Sequence, residues 1–271
     1  MTSPDSGNRV ARFRALHAQG IFVIANAWDA GSARVLAGLG FPAVATSSGA
    51  MANTFGRVDG RVSREEALAH ARALVEAVDV PVSADLENGF GDSPRDAAET
   101  IRRGAAAGLA GGSIEDYSGK SLYGIEQAVE RVAAAAEAAR AAPDGFVLTA
   151  RAENFIRGST DLDDTIRRLQ AYERAGADVL FAPGLPTLEA VHTVCSALGK
   201  PFNFMVGIPG KSWSLAELES AGVRRVSLAT SLYKAAITGL VSAAREIREK
   251  GTFGYVDSAI ASKELSGYMR H

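Results

Sequence analysis

Two acidic residues, two positions apart, carry the clearest chemical signal in this sequence. Asp85 and Glu87 follow the apolar run at residues 80–82, and Gly89 and Gly91 predict a sharp turn just beyond them. Alternate residues of a strand face the same side, so the pattern predicts two like charges together at the end of a buried strand. Repulsion and lost hydration both cost free energy there, and a hard divalent cation relieves both. The pair predicts a Mg²⁺ site that would also accept Mn²⁺, with two solvated loop carboxylates as the simpler alternative.

Further charged residues lie where other apolar runs end. Glu115 ends one such run and Arg151 ends the next along the chain. Carboxylates beside an arginine indicate a bound metal together with a clamp for an anionic substrate. The alternative is that Arg151 pairs with Glu115 or Glu153 and neutralises the acids without a metal. Asp116 should point away from Glu115 and cap the following turn.

Uncharged residues at two earlier run ends add candidate binding groups. Ser47, Ser48 and Gly49 offer hydroxyls and backbone N–H groups to a carboxylate or phosphonate. We expect Trp28 either to form a wall of the pocket or to lie in the core. The four histidines lie in helical patterns or at the terminus, so a histidine base or metal ligand is not expected.

The elements that must position these residues alternate along the chain. Eight apolar runs have the near-continuous hydrophobicity of buried parallel strands, at residues 22–28, 43–48, 81–87, 111–116, 146–153, 178–184, 202–207 and 224–230. Amphipathic helical patterns separate them, at residues 32–39, 64–78, 94–107, 124–141, 162–175, 188–198 and 215–221, and a last one follows at 231–250.

Eight strand-then-helix units predict an α/β fold, the (β/α)₈ TIM barrel. An open doubly wound sheet is the alternative, but the turn after the first strand lacks its glycine-rich phosphate motif. We expect one domain over residues 1–271, with an N-terminal helical extension at 1–20 in which residues 8–19 cover the bottom of the barrel. The C-terminal tail at 251–271 shows no clear period.

Composition excludes several classes of function. The chain has 271 residues, a formal net charge of −2 and interspersed acids and bases, so neither nucleic acid nor an anionic membrane is an expected partner. Cys195 is the single cysteine, which excludes an intrachain disulfide framework. The N-terminus is polar and no apolar run reaches membrane-spanning length, so we expect a cytoplasmic protein.

Five segments in this order resemble the isocitrate lyase / phosphoenolpyruvate mutase superfamily: residues 48–50, 56–60, 85–91, 114–116 and 150–153. The resemblance extends from Phe22 to about Ile247. It implies a (β/α)₈ barrel, Mg²⁺, and a small 2-oxo, 2-hydroxy or enol carboxylate as substrate. It also implies a homo-oligomer, a dimer or a tetramer of paired subunits, that exchanges the last barrel helix at residues 231–250.

The same resemblance assigns metal-site roles to acidic residues. Asp85 matches the main metal-binding aspartate, and Glu87 occupies the second acidic position, where many members have aspartate. Glu115 matches a third acid that often acts through metal-bound water. Asp59 matches the aspartate of the loop after strand two, close to metal and substrate, where it would orient metal-bound water or act as a base.

Substrate-binding roles also follow from the resemblance. Ser48, Gly49 and Ala50 match the segment whose backbone N–H groups bind the substrate carboxylate. Arg151 matches the arginine that contacts the substrate and helps to stabilise the enolate oxygen. Asn203, near the end of strand seven, is a further candidate for substrate contact.

Departures from the family pattern restrict the reaction. Members that cleave isocitrate or methylisocitrate carry a catalytic cysteine in a lysine-rich loop, whereas residues 117–124 form a short loop without cysteine. The phosphonate mutases carry an asparagine in this loop and a histidine near strand six, both of which are absent here. The chain thus resembles oxaloacetate decarboxylase-like and 2-oxo-acid lyase-like members. Tyr123, Tyr117 or water would supply the proton that the enolate needs.

The sequence predicts a Mg²⁺-dependent lyase that breaks a C–C bond or decarboxylates its substrate through an enolate, with oxaloacetate-like or 2-methylisocitrate-like substrates. One alternative is a phosphonopyruvate-type mutase or a transferase on a similar barrel. Another is a barrel that binds a metabolite without catalysis.

Overall fold

Eight parallel strands close into a barrel in sequential order, and β1 pairs with β8 to complete it. The computed structural model describes residues 6–270, with side chains from residue 9 onward. The strands are β1 Phe22–Asn26, β2 Val44–Ala45, β3 Val82–Asp85, β4 Gly111–Glu115, β5 Val147–Arg151, β6 Val179–Phe181, β7 Phe202–Met205 and β8 Arg225–Ser227. The predicted (β/α)₈ barrel is confirmed.

Helices surround the barrel, one main helix after each strand. These are α2 Ala30–Gly38, α4 Arg64–Ala77, α5 Pro94–Ala106, α6 Ile125–Ala141, α7 Leu162–Ala175, α8 Leu188–Ser196, α9 Leu215–Ser220 and α10 Ser231–Lys250. The rest are α1 Ser6–Leu16, α3 Ser48–Thr54, α11 Ser262–Tyr268 and 3₁₀ turns at Phe155–Arg157 and Gly254–Ser258. Ser63 begins α4 with the predicted capping box to Glu66. No helix of residues 6–270 is long and apolar enough to cross a membrane.

Two regions differ from the sequence prediction. The second strand ends at Ala45 rather than at residue 48, because Ser47 caps α3 and accepts a hydrogen bond from the Ala50 N–H (3.3 Å). The tail beyond residue 250 contains α11, which packs the ring of Tyr268 directly over Gly38 of α2. That helix has only seven residues, which is too short to show a period in the sequence.

Helix α1 covers the bottom of the barrel, as its sequence pattern predicts. Phe13 is fully buried, with its ring edge-to-face against Phe22 of β1 (6.4 Å between centroids) and His17 (4.9 Å). Arg9 fixes the helix by donating to the carbonyl oxygens of Val75 and Val78.

Gly111, at the start of β4, allows α1 to pack closely against the strands because it has no side chain. A Cβ at this position would lie 2.6 Å from the Val147 carbonyl oxygen and 2.8 Å from Phe13 Cε1. We expect Gly111→Ala to destabilise the protein by about 2 kcal/mol through overpacking. Gly267→Ala on α11 is the control, because no atom lies within 4 Å of that Cβ and alanine favours a helix. Urea denaturation of both variants tests this; equal stabilities would contradict it.

Helix α10 is not packed as a barrel helix of the same chain would be. None of the residues of Ser231–Lys250 is buried, and Leu240, Val241 and Ile247 expose large apolar side chains. Large apolar side chains that are exposed together on one helix are uncommon on the surface of a monomer.

Candidate active site

A cavity of about 1170 Å³ opens at the carboxyl ends of the strands, where barrel enzymes place their chemistry. Most of the residues expected at the site line it: Ser48, Gly49, Asp59, Asp85, Glu87, Glu115, Arg151 and Asn203. Three expected residues are not part of this lining: Trp28, Ala50 and Tyr123.

Asp85 is the best-fixed acid of the cavity. The Ser48 hydroxyl donates to Asp85 Oδ2 (3.0 Å), and the Glu87 N–H donates to Oδ1 (3.2 Å). The Asp85 N–H in turn donates to Thr46 Oγ1 (2.9 Å). These bonds fix the carboxylate at the mouth of the barrel, which is the orientation that a metal ligand requires.

Glu87 reaches the cavity in a different way from the one the sequence predicts. Strand β3 ends at Asp85, and Glu87 lies in a turn with φ +48°, a left-handed conformation that is uncommon outside glycine. Its Oε1 is buried without a hydrogen-bond partner among the described residues. Burial, followed by the charges of Asp85 and Asp59, raises the pKa of Glu87 to about 7. The prediction that Asp85 and Glu87 lie on one face of a strand is therefore wrong, although both acids line one cavity.

Glu115 and Arg151 are register partners on β4 and β5. Arg151 Nη1 lies 3.5 Å from Glu115 Oε2 and 3.8 Å from Asp85 Oδ2. Burial raises the pKa of Glu115 well above its usual range, and Arg151 opposes that rise. The guanidinium therefore lies between the two acids that were expected to bind metal.

A buried carboxylate holds Arg151 from behind. Glu153 is fully buried and accepts from Arg151 Nε (2.5 Å) and from Arg157 Nε (2.8 Å). Arg157, which the sequence did not single out, stacks over the ring of Tyr117 (3.9 Å) and lies 3.7 Å from Glu115. Its position depends on the 3₁₀ turn after β5, which no sequence pattern predicted.

Acidic side chains cluster around one part of the cavity wall. The carboxylates of Asp85, Glu115 and Glu153 lie around the guanidinium groups of Arg151 and Arg157, and Glu87 lines the cavity close to Asp85. Within residues 9–270, no three acidic, histidine or cysteine side chains converge on one point at metal-ligand distance. Mg²⁺ commonly takes one or two protein carboxylates and completes its shell with water and substrate oxygens. The orphaned Glu87 Oε1 and the nearby Asp85 carboxylate fit such a water-rich ion.

The N-terminus of α3 faces the same cavity. A Cβ on Gly49 would lie 3.3 Å from Asp59 Oδ2, so glycine allows the Asp59 carboxylate to approach the helix start. The Gly49 N–H has no hydrogen-bond partner in the described chain and is available to an anion. Ala50 is a correction, because its N–H already donates to Ser47 Oγ and it does not line the cavity.

Tyr123 was expected to supply a proton, and the structure places it elsewhere. Its hydroxyl donates to Asp92 Oδ1 (2.5 Å) and accepts from Asn88 Nδ2 (2.9 Å). Burial raises the pKa of Tyr123 to about 12, and the bond to Asp92 adds to the rise. Its ring lies below Arg131 (4.5 Å) in the helix layer. Tyr117, the other tyrosine considered, lines the cavity.

Two other expected contacts also change. Trp28 packs edge-to-face against Tyr233 of α10 (5.5 Å) rather than forming a pocket wall. Asn203 lines the cavity, but its amide oxygen accepts from Arg225 Nε (2.7 Å) and its Nδ2 donates to Ser227 Oγ (2.9 Å). Direct substrate binding by Asn203 is therefore limited to its remaining N–H.

Two residues beside the acids have roles that the structure defines. Asp116 points away from Glu115 into the helix layer, where it accepts from Tyr172 (2.6 Å) and Arg168 (3.1 Å) instead of capping the next turn. Lys120 lines the cavity from the 117–124 loop, which an antiparallel bridge between Tyr117 and Leu122 closes. The position of Lys120 in that loop was the available sequence signal for a cation at the rim.

This chain is similar to known proteins in sequence and in fold. The phosphoenolpyruvate phosphomutase family model matches residues 13–248. A crystal structure from Burkholderia cenocepacia, provisionally described as a lyase/mutase, is 46% identical and superposes with a TM-score of 0.97 over 99% of this chain and 98% of that one.

Two curated relatives are lyases. The 2,3-dimethylmalate lyase of Eubacterium barkeri is 35% identical over 64% of this chain and 63% of its own. The 2-methylisocitrate lyase of Escherichia coli is 29% identical over 79% of this chain and 75% of its own. Their names support an enzyme of the lyase or mutase type. With the barrel, the acid cavity and the family match together, the chain belongs to the phosphoenolpyruvate phosphomutase family, within the phosphoenolpyruvate mutase/isocitrate lyase superfamily.

Proposed function

We propose that the protein is a Mg²⁺-dependent lyase that forms or consumes the enolate of a small 2-oxo or 2-hydroxy carboxylate. The observation that carries the proposal is Arg151, fixed by buried Glu153 between Asp85 and Glu115. A guanidinium held in this way at the mouth of a barrel is preorganised for negative charge that develops on a substrate oxygen. The bond broken is a C–C bond, by cleavage or by decarboxylation.

Each group has a role that its position supports. Asp85, with Glu87 and Glu115, would hold Mg²⁺, and Mn²⁺ would substitute for it. The bound ion supplies a Lewis acid for the 2-oxo group. Arg151 binds the oxygen that becomes the enolate, and the Gly49 N–H binds the carboxylate, while Ser48 donates to Asp85 and holds it in place.

Two further residues handle protons. Asp59 lies against Gly49 and close enough to Glu87 to raise its pKa, which suits a group that orients water or acts as a base. The hydroxyl of Tyr117, or a water molecule, returns the proton to the enolate.

The names of the relatives guide the choice of substrate. Two relatives are named as lyases of 2,3-dimethylmalate and of 2-methylisocitrate. Both compounds are 2-hydroxy polycarboxylates. Family members that cleave tricarboxylates carry a catalytic cysteine in this loop, and the short loop at 117–124 has none. We infer a preference for oxaloacetate-like or malate-like substrates.

An assay of pyruvate and glyoxylate release over oxaloacetate, malates, methylated malates and 2-methylisocitrate, with Mg²⁺ and with EDTA and with the enzyme-free rate subtracted, tests the proposal. We expect turnover of at least one compound in the presence of Mg²⁺ and loss of turnover with EDTA. Conversion of phosphonopyruvate, followed by ³¹P NMR, would instead indicate the mutase. Binding without turnover of any compound would indicate a metabolite-binding barrel.

The two tyrosines give a matched prediction. Tyr117→Phe should lower kcat about tenfold to hundredfold if its hydroxyl donates the proton, because one general acid contributes at least that much. Tyr123→Phe should leave kcat unchanged and cost about 1 kcal/mol of stability, since it loses the buried bonds to Asp92 and Asn88. Steady-state kinetics and thermal denaturation of both variants check this. A Tyr123→Phe variant that is inactive but folded would contradict it.

The exposed apolar face of α10 supports a proposal about assembly. A dimer or tetramer that exchanges Ser231–Lys250 would bury Leu240, Val241 and Ile247 against a second barrel. Light scattering after size exclusion should then give a multiple of the 28.3 kDa chain mass. Leu240→Glu should shift the population toward monomer, whereas Lys250→Glu at the end of α10 should not.

A further inference from the structure

Beneath the acids, the barrel interior holds a second charged group that the proposed chemistry does not use. Arg225 of β8 is only 5% exposed, yet it lines the same cavity as Asp85 and Arg151. Its side chain crosses the barrel to reach Thr149 of β5, so its guanidinium forms part of the cavity floor.

The partners of this guanidinium are all neutral. Arg225 Nε donates to Asn203 Oδ1 (2.7 Å), Nη2 donates to Thr149 Oγ1 (3.0 Å), and Nη1 lies 3.4 Å from His17 Nε2. A guanidinium has five N–H donors, so these three bonds leave two without a partner in the described chain. No carboxylate of residues 9–270 forms an ion pair with it.

Helix α1 supplies no counter-charge from below. His17 Nδ1 lies 2.8 Å from the Phe13 carbonyl oxygen, so it carries the proton and the lone pair of Nε2 faces Arg225. Burial, followed by the charge of Arg225, lowers the pKa of His17 to about 3, and the ring is neutral. Burial alone lowers the pKa of Arg225 to about 9, because no neighbouring carboxylate offsets the loss of hydration. A buried cation without an anion is costly.

Small polar side chains separate this cation from the acid site. Ser83 and Ser113 line the cavity two positions before Asp85 and Glu115 on their strands. Alternate residues face the same side, and two residues of strand span about 6.6 Å. Barrel interiors at this level are usually filled by bulky branched residues, whereas Ser83 and Ser113 line the open cavity together with Arg225, and Ser113 pairs in register with Thr149, which accepts from Arg225.

We propose that Arg225, with Ser83 and Ser113, forms a buried subsite for a carboxylate-sized anion beneath the Arg151 layer. Two sources offer that chemistry: the second carboxylate of a dicarboxylate substrate with four or five carbon atoms, or a free inorganic anion. The first source rests on the proposed function, because it requires the 2-oxo carboxylate to bind at Arg151. The spacing of about 6.6 Å between the layers favours it, since a chain of that length spans most of this distance.

Binding of two 2-oxo acids of equal length tests the first source. Calorimetry with saturating Mg²⁺ compares 2-oxoglutarate with 2-oxopentanoate, which differ by one carboxylate. We expect the wild type to bind 2-oxoglutarate about tenfold to hundredfold more tightly, as one charge-assisted pair provides. Arg225→Gln should abolish this preference and leave the affinity for 2-oxopentanoate unchanged. Arg225→Lys should keep part of the preference because it keeps the charge.

Crystals of the wild type grown with sodium bromide test the second source and need no substrate. An anomalous peak beside the guanidinium, with equal affinities for the two acids, assigns the subsite to a free anion. The same peak with no binding of either acid would leave the anion subsite standing without a role in binding 2-oxo acids, whereas the proposed function itself fails only if no compound of the turnover panel is cleaved or decarboxylated. No peak and no preference in the wild type would overturn the subsite and reduce Arg225 to a structural link between α1, β5 and β7.

Discussion

Arg151→Lys is expected to lower kcat about a hundredfold to a thousandfold while the fold and Mg²⁺ binding persist. Lysine keeps the charge but loses the planar fork that donates Nε to Glu153 and directs Nη1 toward Asp85 and Glu115. Removal of one preorganised donor to a developing oxyanion costs this much in other enzymes. The measurement is kcat and KM on the substrate identified by release of pyruvate or glyoxylate, with Mg²⁺ affinity by calorimetry.

A second variant, Arg151→Met, separates a catalytic role of Arg151 from simple neutralisation of the acids. If Arg151 only balanced Glu115 and Asp85, Arg151→Met would tighten Mg²⁺ binding and leave kcat nearly unchanged, because Mg²⁺ would take over the charge. A catalytic guanidinium requires kcat to fall in both variants while Mg²⁺ affinity holds or rises. Arg167→Lys at an exposed position of α7 is the control, since its partner Asp164 lies outside the cavity.

Glu153→Gln probes the support of Arg151. It should lower kcat about tenfold, because Arg151 loses the carboxylate that fixes its Nε. A variant with unchanged kcat would show that Arg151 keeps its position without Glu153.

The barrel was predictable because its signals are local and repeated. The apolar run that predicts a strand appears eight times around the fold, and a capping pattern such as Ser63 with Glu66 acts over only a few residues. Parallel pairing then brings the strand ends together, so Asp85, Glu115 and Arg151 could be placed at one rim before their contacts were known. Their exact hydrogen bonds could not be predicted in this way.

The errors arose where the backbone leaves the regular strand. The left-handed turn at Glu87 and the tight bridge that closes the 117–124 loop decide where side chains point, and neither has a periodic signature. Tyr123 therefore faces the helix layer, and Arg157 reaches the cavity from a 3₁₀ turn. Arg225 was overlooked because it precedes the end of its strand, and only the closed barrel shows that it crosses the interior.

Glu87→Gln is expected to stabilise the metal-free protein at pH 8 and weaken its binding of Mg²⁺. The pKa of Glu87 rises from 4.5 to about 7 on folding, so the folded state binds the extra proton between these values. Stability from this group is therefore complete below pH 4.5 and is lost as pH rises through 7. At pH 8 the buried charge should cost on the order of 2 kcal/mol, allowing for partial exposure of the side chain. Glutamine avoids that cost.

Urea denaturation in EDTA at pH 4 and pH 8 measures this difference. The variant should match the wild type at pH 4, where Glu87 is protonated, and exceed it at pH 8. Glu249→Gln, an exposed acid on α10, should show no such change. A stability difference for Glu87→Gln that is independent of pH would refute the assignment of the buried charge.

Mg²⁺ should make the wild type more stable than Glu87→Gln, which is the reverse of their order without the ion. The ion binds the ionised carboxylate, so its binding to the wild type should release a proton near pH 6.5, which calorimetry in buffers of different ionisation enthalpy detects. Glu87→Gln should release less and bind Mg²⁺ more weakly by about tenfold to hundredfold. If ionised Glu87 lowers the free energy of unfolding without Mg²⁺ and no longer does so with Mg²⁺, this acid is kept for function at the expense of stability. Equal proton release from both proteins would move that role to Glu115, whose pKa burial also raises.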